Sequence, residues 1–271
     1  MAPTTSLRGR RAVTLACTVA AAACAGARGA SGTAPDEVAR AVEVDHVYLV
    51  TGPGAPEAAA LREAGLRVDG RVTRHQGGGT ASMSVLFENA YLELLFPDSA
   101  AGDGASSPEE REYWRKVFAW RETGASPIGV GLRRREGAPD ALPFPTSVMP
   151  PQPWMQHMGE MRLVTTNDEW LAPGVFVVPR TMAVPSWIGR MQRDTTAASP
   201  LRHPLGVRRL TGVRVVVARA GGMVPSVARL HEAGVLRVER GGAPLVELTF
   251  DGGGRGGARD LRPALPLVLR F

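Results

Sequence analysis

The stretch Ala90-Tyr91-Leu92-Glu93-Leu94-Leu95-Phe96 has the composition of a strand, with one carboxylate set among bulky apolar side chains. Alternation puts Tyr91, Glu93 and Leu95 on one face, and Leu92, Leu94 and Phe96 on a wholly apolar opposite face. A carboxylate in such a strand is costly to bury unless it is paired or bound to a metal, so Glu93 needs a partner.

Working back along the chain, Val44-Asp45-His46-Val47-Tyr48-Leu49-Val50 reads as another strand, with Val44, His46, Tyr48 and Val50 on one face. Gly52-Pro53-Gly54 breaks it. Pro56 suits the first position of a helix over 56–64, with Gly65 as its stop. Leu66 to His75 is expected as a strand and Gly77-Gly78-Gly79 as a turn. Thr80 to Phe87 is expected as a third strand, turning at Glu88-Asn89 into the Glu93 strand. Residues 43–98 thus form a β-α-β-β-β unit.

The same order recurs downstream. Pro56 to Gly65 and Pro225 to Gly234 share their Pro-to-Gly spacing and a Leu-x-Glu-Ala-Gly ending. Leu210 to Val216 matches the first strand, and Leu245-Val-Glu-Leu-Thr-Phe250 matches the Glu93 strand, which aligns Glu247 with Glu93. The expected organisation is α+β, with βαβββ modules at 43–98 and 206–271. Between them, residues 99–205 hold a helix begun by Ser107-Pro108-Glu109-Glu110, a strand from Pro127 to Arg134, and a Pro-rich insertion with Trp154, Trp170, Trp187 and a Met cluster. A stretch so long and aromatic is expected to pack over a module or roof a cavity.

With 271 residues and 44% hydrophobic content, the chain is long enough for a substantial core. Residues 1–35 lie apart from that core. Arg8, Arg10 and Arg11 precede an apolar run of small residues from Ala12 to Ala23, the pattern of an export signal. Cys24 stands where a lipoprotein signal places its lipidated cysteine, so a lipid anchor there is the one membrane attachment expected. Cys17 lies inside the signal, which leaves the mature chain without a disulfide. Of the net charge of +6, four positive charges (Arg8, Arg10, Arg11, Arg28) fall in this leader. Lys116 is the only lysine. No basic stripe with interleaved aromatics is present, which argues against a nucleic-acid partner and for a small-molecule one.

Two β-α-β-β-β modules with a glutamate in the last strand resemble the vicinal oxygen chelate superfamily, which includes glyoxalase I, extradiol dioxygenases and bleomycin-resistance proteins. More narrowly, Asp45-His46-Val47, His75-Gln-Gly-Gly-Gly-Thr80, Glu88-Asn-Ala-Tyr-Leu-Glu-Leu-Leu95 and His203-Pro204-Leu-Gly-Val-Arg-Arg-Leu-Thr211 are similar to the glyoxalase-like domain family. The resemblance implies curled mixed sheets enclosing a cavity, with first and last strands of a module side by side and metal ligands drawn from both. His46, Glu93 and Glu247 are the ligands it implies for a divalent Zn, Ni, Mn or Fe ion, with His75 or His203 as substitutes. Glu93 or Glu247 would then be ligand or base, and Tyr48, Tyr91 and Arg214 would line the cavity.

Other assignments fit the same residues. His46 and Glu93 can satisfy one another directly. Gly212 stands where His46 has its counterpart, and Arg214 can pair with Glu247. His75 before three glycines suits either a cavity mouth or an exposed hairpin turn. Two functions follow: a metal-dependent lyase, isomerase or dioxygenase acting on a small oxygen-rich substrate, or a metal-free small-molecule binding protein of the bleomycin-resistance type.

Overall fold

The computed structural model describes residues 35–271 apart from 105, 197 and 219–222. The leader expected to be an export signal, with Cys24, therefore lies outside the described residues. Among the described residues no helix is long and apolar enough to cross a membrane.

The chain is a mixed α+β protein with few helices and two mixed sheets, of eight and five strands. Helix α1 (Pro35–Ala41) leads into β1 (Val42–Val50), and α2 (Ala58–Glu63) precedes β2 (Thr73–His75), β3 (Thr80–Leu86) and β4 (Tyr91–Pro97). Helix α3 (Pro108–Phe118) and the short α4 (Trp120–Thr123) come next. They are followed by β5 (Ile128–Arg134), β6 (Ser147–Val148), β7 (Arg162–Leu163), β8 (Gly174–Val177) and α5 (Gly189–Gln192). The C-terminal part holds β9 (Leu210–Ala218), α6 (Pro225–Glu232), β10 (Arg237–Gly241), β11 (Leu245–Phe250), β12 (Ala258–Asp260) and β13 (Leu267–Arg270).

The larger sheet has the order β2-β3-β4-β1-β5-β8-β7-β6. Strand β1 runs parallel to β4 and antiparallel to β5, and β5 runs parallel to β8. The order outward from β1 (β1, β4, β3, β2) is thus repeated outward from β5 (β5, β8, β7, β6). The apolar alternation decides which face meets the core. Val47, Leu49, Leu92, Leu94, Phe96, Val130, Leu132, Val175 and Val177 all turn to one side. There they join Ala58 and Leu61 of α2, Val227 and Leu230 of α6, and Val213, Val215, Val246, Leu248 and Phe250 of the smaller sheet in one continuous core. At ~25 cal/mol per Å² of apolar area buried, a core of this extent is the main stabilising term of the described residues, which include no cysteine. The opposite face of the large sheet is covered by α3 and by the irregular chain between β5 and β9, and this is where the cavity lies.

The C-terminal repeat expected over 206–271 is a repeat of the helix and its stop, and the strands around it pair differently. Both α2 and α6 end in a glycine with positive φ, Gly65 at 86° and Gly234 at 68°, a conformation glycine adopts without strain. After α6, however, β10 lies parallel beside β9, and β11 runs antiparallel to β9, whereas β4 runs parallel to β1. The strands that extend the first sheet come instead from 128–177, within the segment expected to be an insertion. The expected strand over 66–75 is reduced to β2. Its first half is tied to the 203–205 loop instead: Arg67 N donates to His203 Nδ1 (3.0 Å) and Leu205 N to the Gly65 carbonyl (2.8 Å).

Candidate functional site

Two cross-strand rows form the floor of a cavity of about 200 Å³. In register they are Tyr91, His46, Gly131 and Phe176, and then Glu93, Tyr48, Gly129 and Gly174. The glycines are required by the rings beside them. A Cβ on Gly131 would fall 2.5 Å from His46 Nδ1 and 2.6 Å from Nε2, and one on Gly129 would fall 2.6 Å from Tyr48 Cδ1. His46 and Tyr48 therefore lie across the β5 backbone and face the next strand. The His46 ring stacks on Tyr91 at 4.3 Å between centroids and meets Phe176 at 5.3 Å on the other side.

Asp45 and Thr80 orient the two cavity histidines. Asp45 is fully buried and accepts three hydrogen bonds, from His46 Nδ1 (3.0 Å), Arg133 Nη1 (3.4 Å) and Val184 N (2.8 Å). Arg133, itself buried, also pairs with Glu43 and donates to the Asn89 carbonyl. An ionised carboxylate only accepts, so the Nδ1 of His46 carries the proton toward Asp45 and Nε2 faces the cavity. That Nε2 stands 3.9 Å from Glu93 Oε2. On the other side of Glu93, His75 Nε2 is 3.8 Å from Oε1, while His75 Nδ1 is held by Thr80 Oγ1 at 2.8 Å. Burial lowers the His75 pKa against the opposing pull of Glu93, so that ring is neutral at pH 7.

A second carboxylate reaches the cavity from above the sheet. Ser107 caps α3 by accepting from Glu110 N (3.2 Å), which sets Glu110 in the first turn facing inward. Burial raises the Glu110 pKa, opposed by hydrogen bonds from Trp114 and Gln152. The three tyrosines of the chain, Tyr48, Tyr91 and Tyr113, all line the cavity and are kept neutral by burial. Trp114, Trp154 and Phe176 complete the aromatic wall, and Met149, Met161 and Met182 fill the gaps between them.

Of the residues expected at the site, His46, Tyr48, His75, Tyr91 and Glu93 come together here. The other three are elsewhere. Glu247 lies in the five-stranded sheet within a ladder of charges, 2.7 Å from Arg270 and 4.0 Å from Arg214, which in turn pairs with Glu239 at 2.6 Å. Glu247 and Arg214 are therefore not cavity residues: β11 belongs to a different sheet from β4. His203 is a buried structural bridge, accepting from Arg67 N and donating to the Leu86 carbonyl (2.9 Å) against the Phe87 ring. Sequence reasoning missed Glu110, Tyr113, Trp114 and Phe176. The inward face of α3 was the available signal for the first three.

The metal set implied by the sequence resemblance, His46, Glu93 and Glu247, does not assemble, because Glu247 lies in the other sheet. Its first half is present as His46 and Glu93, but in the second half β5 and β8 present Gly129, Gly131, Gly174 and Phe176, which carry no donor side chain. Among the described residues no three His, Cys, Asp or Glu side chains are grouped so as to hold a metal ion.

The fold and the site define a class: a mixed-sheet protein with one aromatic cavity, headed by a glutamate between two oriented histidines. The chain belongs to the glyoxalase-like domain family, whose model matches residues 44–231, a span that contains the eight-stranded sheet except for Val42 and Glu43. No curated protein sequence matches it. Among solved structures, the crystal structure of a hypothetical protein from Staphylococcus aureus is similar, with 11% identity, coverage of 85% of this chain and 98% of that one, and a TM-score of 0.48.

Proposed function

We propose that this chain is an exported, metal-independent small-molecule binding protein built on paired modules of the vicinal oxygen chelate type. The paired arrangement is supported by the strand order, in which β5-β8-β7-β6 mirrors β1-β4-β3-β2 across the β1–β5 seam. The observation that carries the function is the row Glu93, Tyr48, Gly129, Gly174 beside the row Tyr91, His46, Gly131, Phe176. Where a chelating site draws its second pair of ligands, this chain has glycines and a phenylalanine, and the space is taken by the His46 and Tyr48 rings. What remains is a pocket of the kind that takes compact ligands: largely apolar and aromatic, with a few convergent polar groups. Export is supported by the basic and apolar leader over residues 8–23.

A second reading, a metal-dependent lyase, isomerase or dioxygenase-type enzyme, is favoured by one observation. His46 and His75 are each held through Nδ1 and turn Nε2 toward Glu93. As they stand the three do not group as a metal site; drawn together on a divalent ion, they would let it supply Lewis-acid polarisation of a bound oxygen.

The binding reading is tested by a thermal-shift screen of small molecules with the metal-stripped protein. It expects at least one hit whose Tm rises with ligand concentration. The rise should disappear when the cavity is filled by Leu163→Trp. A hit list that appears only after a divalent metal is restored contradicts the binding reading and favours the second.

A further inference from the structure

The chain carries 32 Lys and Arg residues against 26 Asp and Glu, yet among the described residues no Lys or Arg lines the cavity. Two carboxylates do, Glu93 from the sheet and Glu110 from α3. The neighbouring Arg133 does not offset them, because it is consumed by Asp45, Glu43 and the Asn89 carbonyl. Anions entering this space would meet two carboxyl groups and, among the described residues, no cationic side chain.

The walls select in the same direction. Only 6% of the chain is aromatic, but Tyr48, Tyr91, Tyr113, Trp114, Trp154 and Phe176 all face this one cavity. Aromatic faces attract a cation through the ring quadrupole, and more strongly when water is excluded. Beside Glu110, the Oε1 of Gln152 is buried with no hydrogen-bond partner, and the Gln152 amide is spent on Glu110.

We propose that the ligand is a compact organic cation, a protonated amine or quaternary nitrogen on a flat apolar body, held by Glu93 and Glu110 within the aromatic walls. This rests on the binding reading above. A neutral ligand would leave two desolvated carboxylates without a counter-charge, and a carboxylate or phosphate ester would be repelled.

The test uses three flat probes of similar size with the full chain: N-methylquinolinium, neutral 2-methylnaphthalene and anionic 2-naphthoate. Binding is followed by calorimetry and by quenching of tryptophan fluorescence, since Trp114 and Trp154 line the cavity. The cation is expected to bind at least about tenfold more tightly than the neutral probe, and the anion not to bind. Glu93→Gln and Glu110→Gln should each lower cation affinity about tenfold and leave the neutral probe unchanged, and an unchanged urea midpoint in either variant excludes misfolding as the cause. If the neutral or anionic probe binds as tightly as the cation, the cation proposal is overturned and the binding reading stands. If none of the three binds and the protein instead takes up stoichiometric metal, both are overturned.

Discussion

Gly131→Ala is the smallest change that probes how the cavity floor is built. The added methyl would stand 2.5 Å from His46 Nδ1 and 2.6 Å from Nε2, well inside van der Waals contact. The ring cannot swing away, because Asp45 holds Nδ1 at 3.0 Å while Tyr91 and Phe176 pack its two sides. Overpacking of this kind costs ~1–3 kcal/mol. Exchange of glycine for alanine returns about 0.5–1 kcal/mol through the unfolded chain. The net expectation is a loss of about 1 kcal/mol, which for a domain of this size lowers Tm by roughly 2–4 °C. Urea denaturation measures it directly. The decisive comparison is the same substitution in a His46→Ala background, where the space is free. There Gly131→Ala should be neutral or stabilise by up to about 1 kcal/mol, a coupling of about 1–2 kcal/mol between positions 46 and 131. Equal costs in the two backgrounds, or no cost in the wild type, would refute the packing argument.

Three further outcomes follow from the same geometry. Asp45→Asn leaves the buried Arg133 short of a charge partner and His46 without its full acceptor, and should cost about 3 kcal/mol by urea midpoint. Glu247→Gln, in the charge ladder of the smaller sheet, should change stability by less than about 1 kcal/mol and leave ligand affinity as it was, and a loss of binding there would restore Glu247 to the site. Burial lowers the His203 pKa below its ordinary 6.5, and its Nδ1 must stay unprotonated to accept from Arg67 N. The stability this contributes is complete above pH 6.5 and falls away as the pH drops through the lower folded-state value. His203→Gln, which keeps an acceptor, should flatten that acid limb of the stability curve, and a variant with an unchanged limb would rule the assignment out.

The first half of the large sheet was legible because its signals are local. The alternation in 44–50 and 91–96, Pro56 and Gly65 around α2, and the Ser107 cap of α3 each act within a few residues, and β1, β3, β4, α2 and α3 form where those signals place them. The proximity of His46 and Glu93 followed from the parallel pairing of β1 with β4. The second half was not legible for physical reasons. Strands β6 and β7 are two residues each, too short to leave a pattern, and no helix of the α2 kind separates β5 from β6. Gly129 and Gly131 interrupt the alternation of β5 because a ring from the neighbouring strand occupies each side-chain position, which no local pattern reports. Glu247 was misplaced because an amphipathic helix ending in a left-handed glycine recurs at α6, and such a helix says nothing of how the following strands pair.

The central claim is that Glu93 heads a binding cavity that works without a metal. Elemental analysis of the chain purified without chelator, followed by calorimetric titration with Zn, Ni, Mn and Fe, tests it most directly. The account predicts sub-stoichiometric metal as purified and no saturable uptake of any of the four. One equivalent of metal, lost in both His46→Ala and Glu93→Gln, would contradict it.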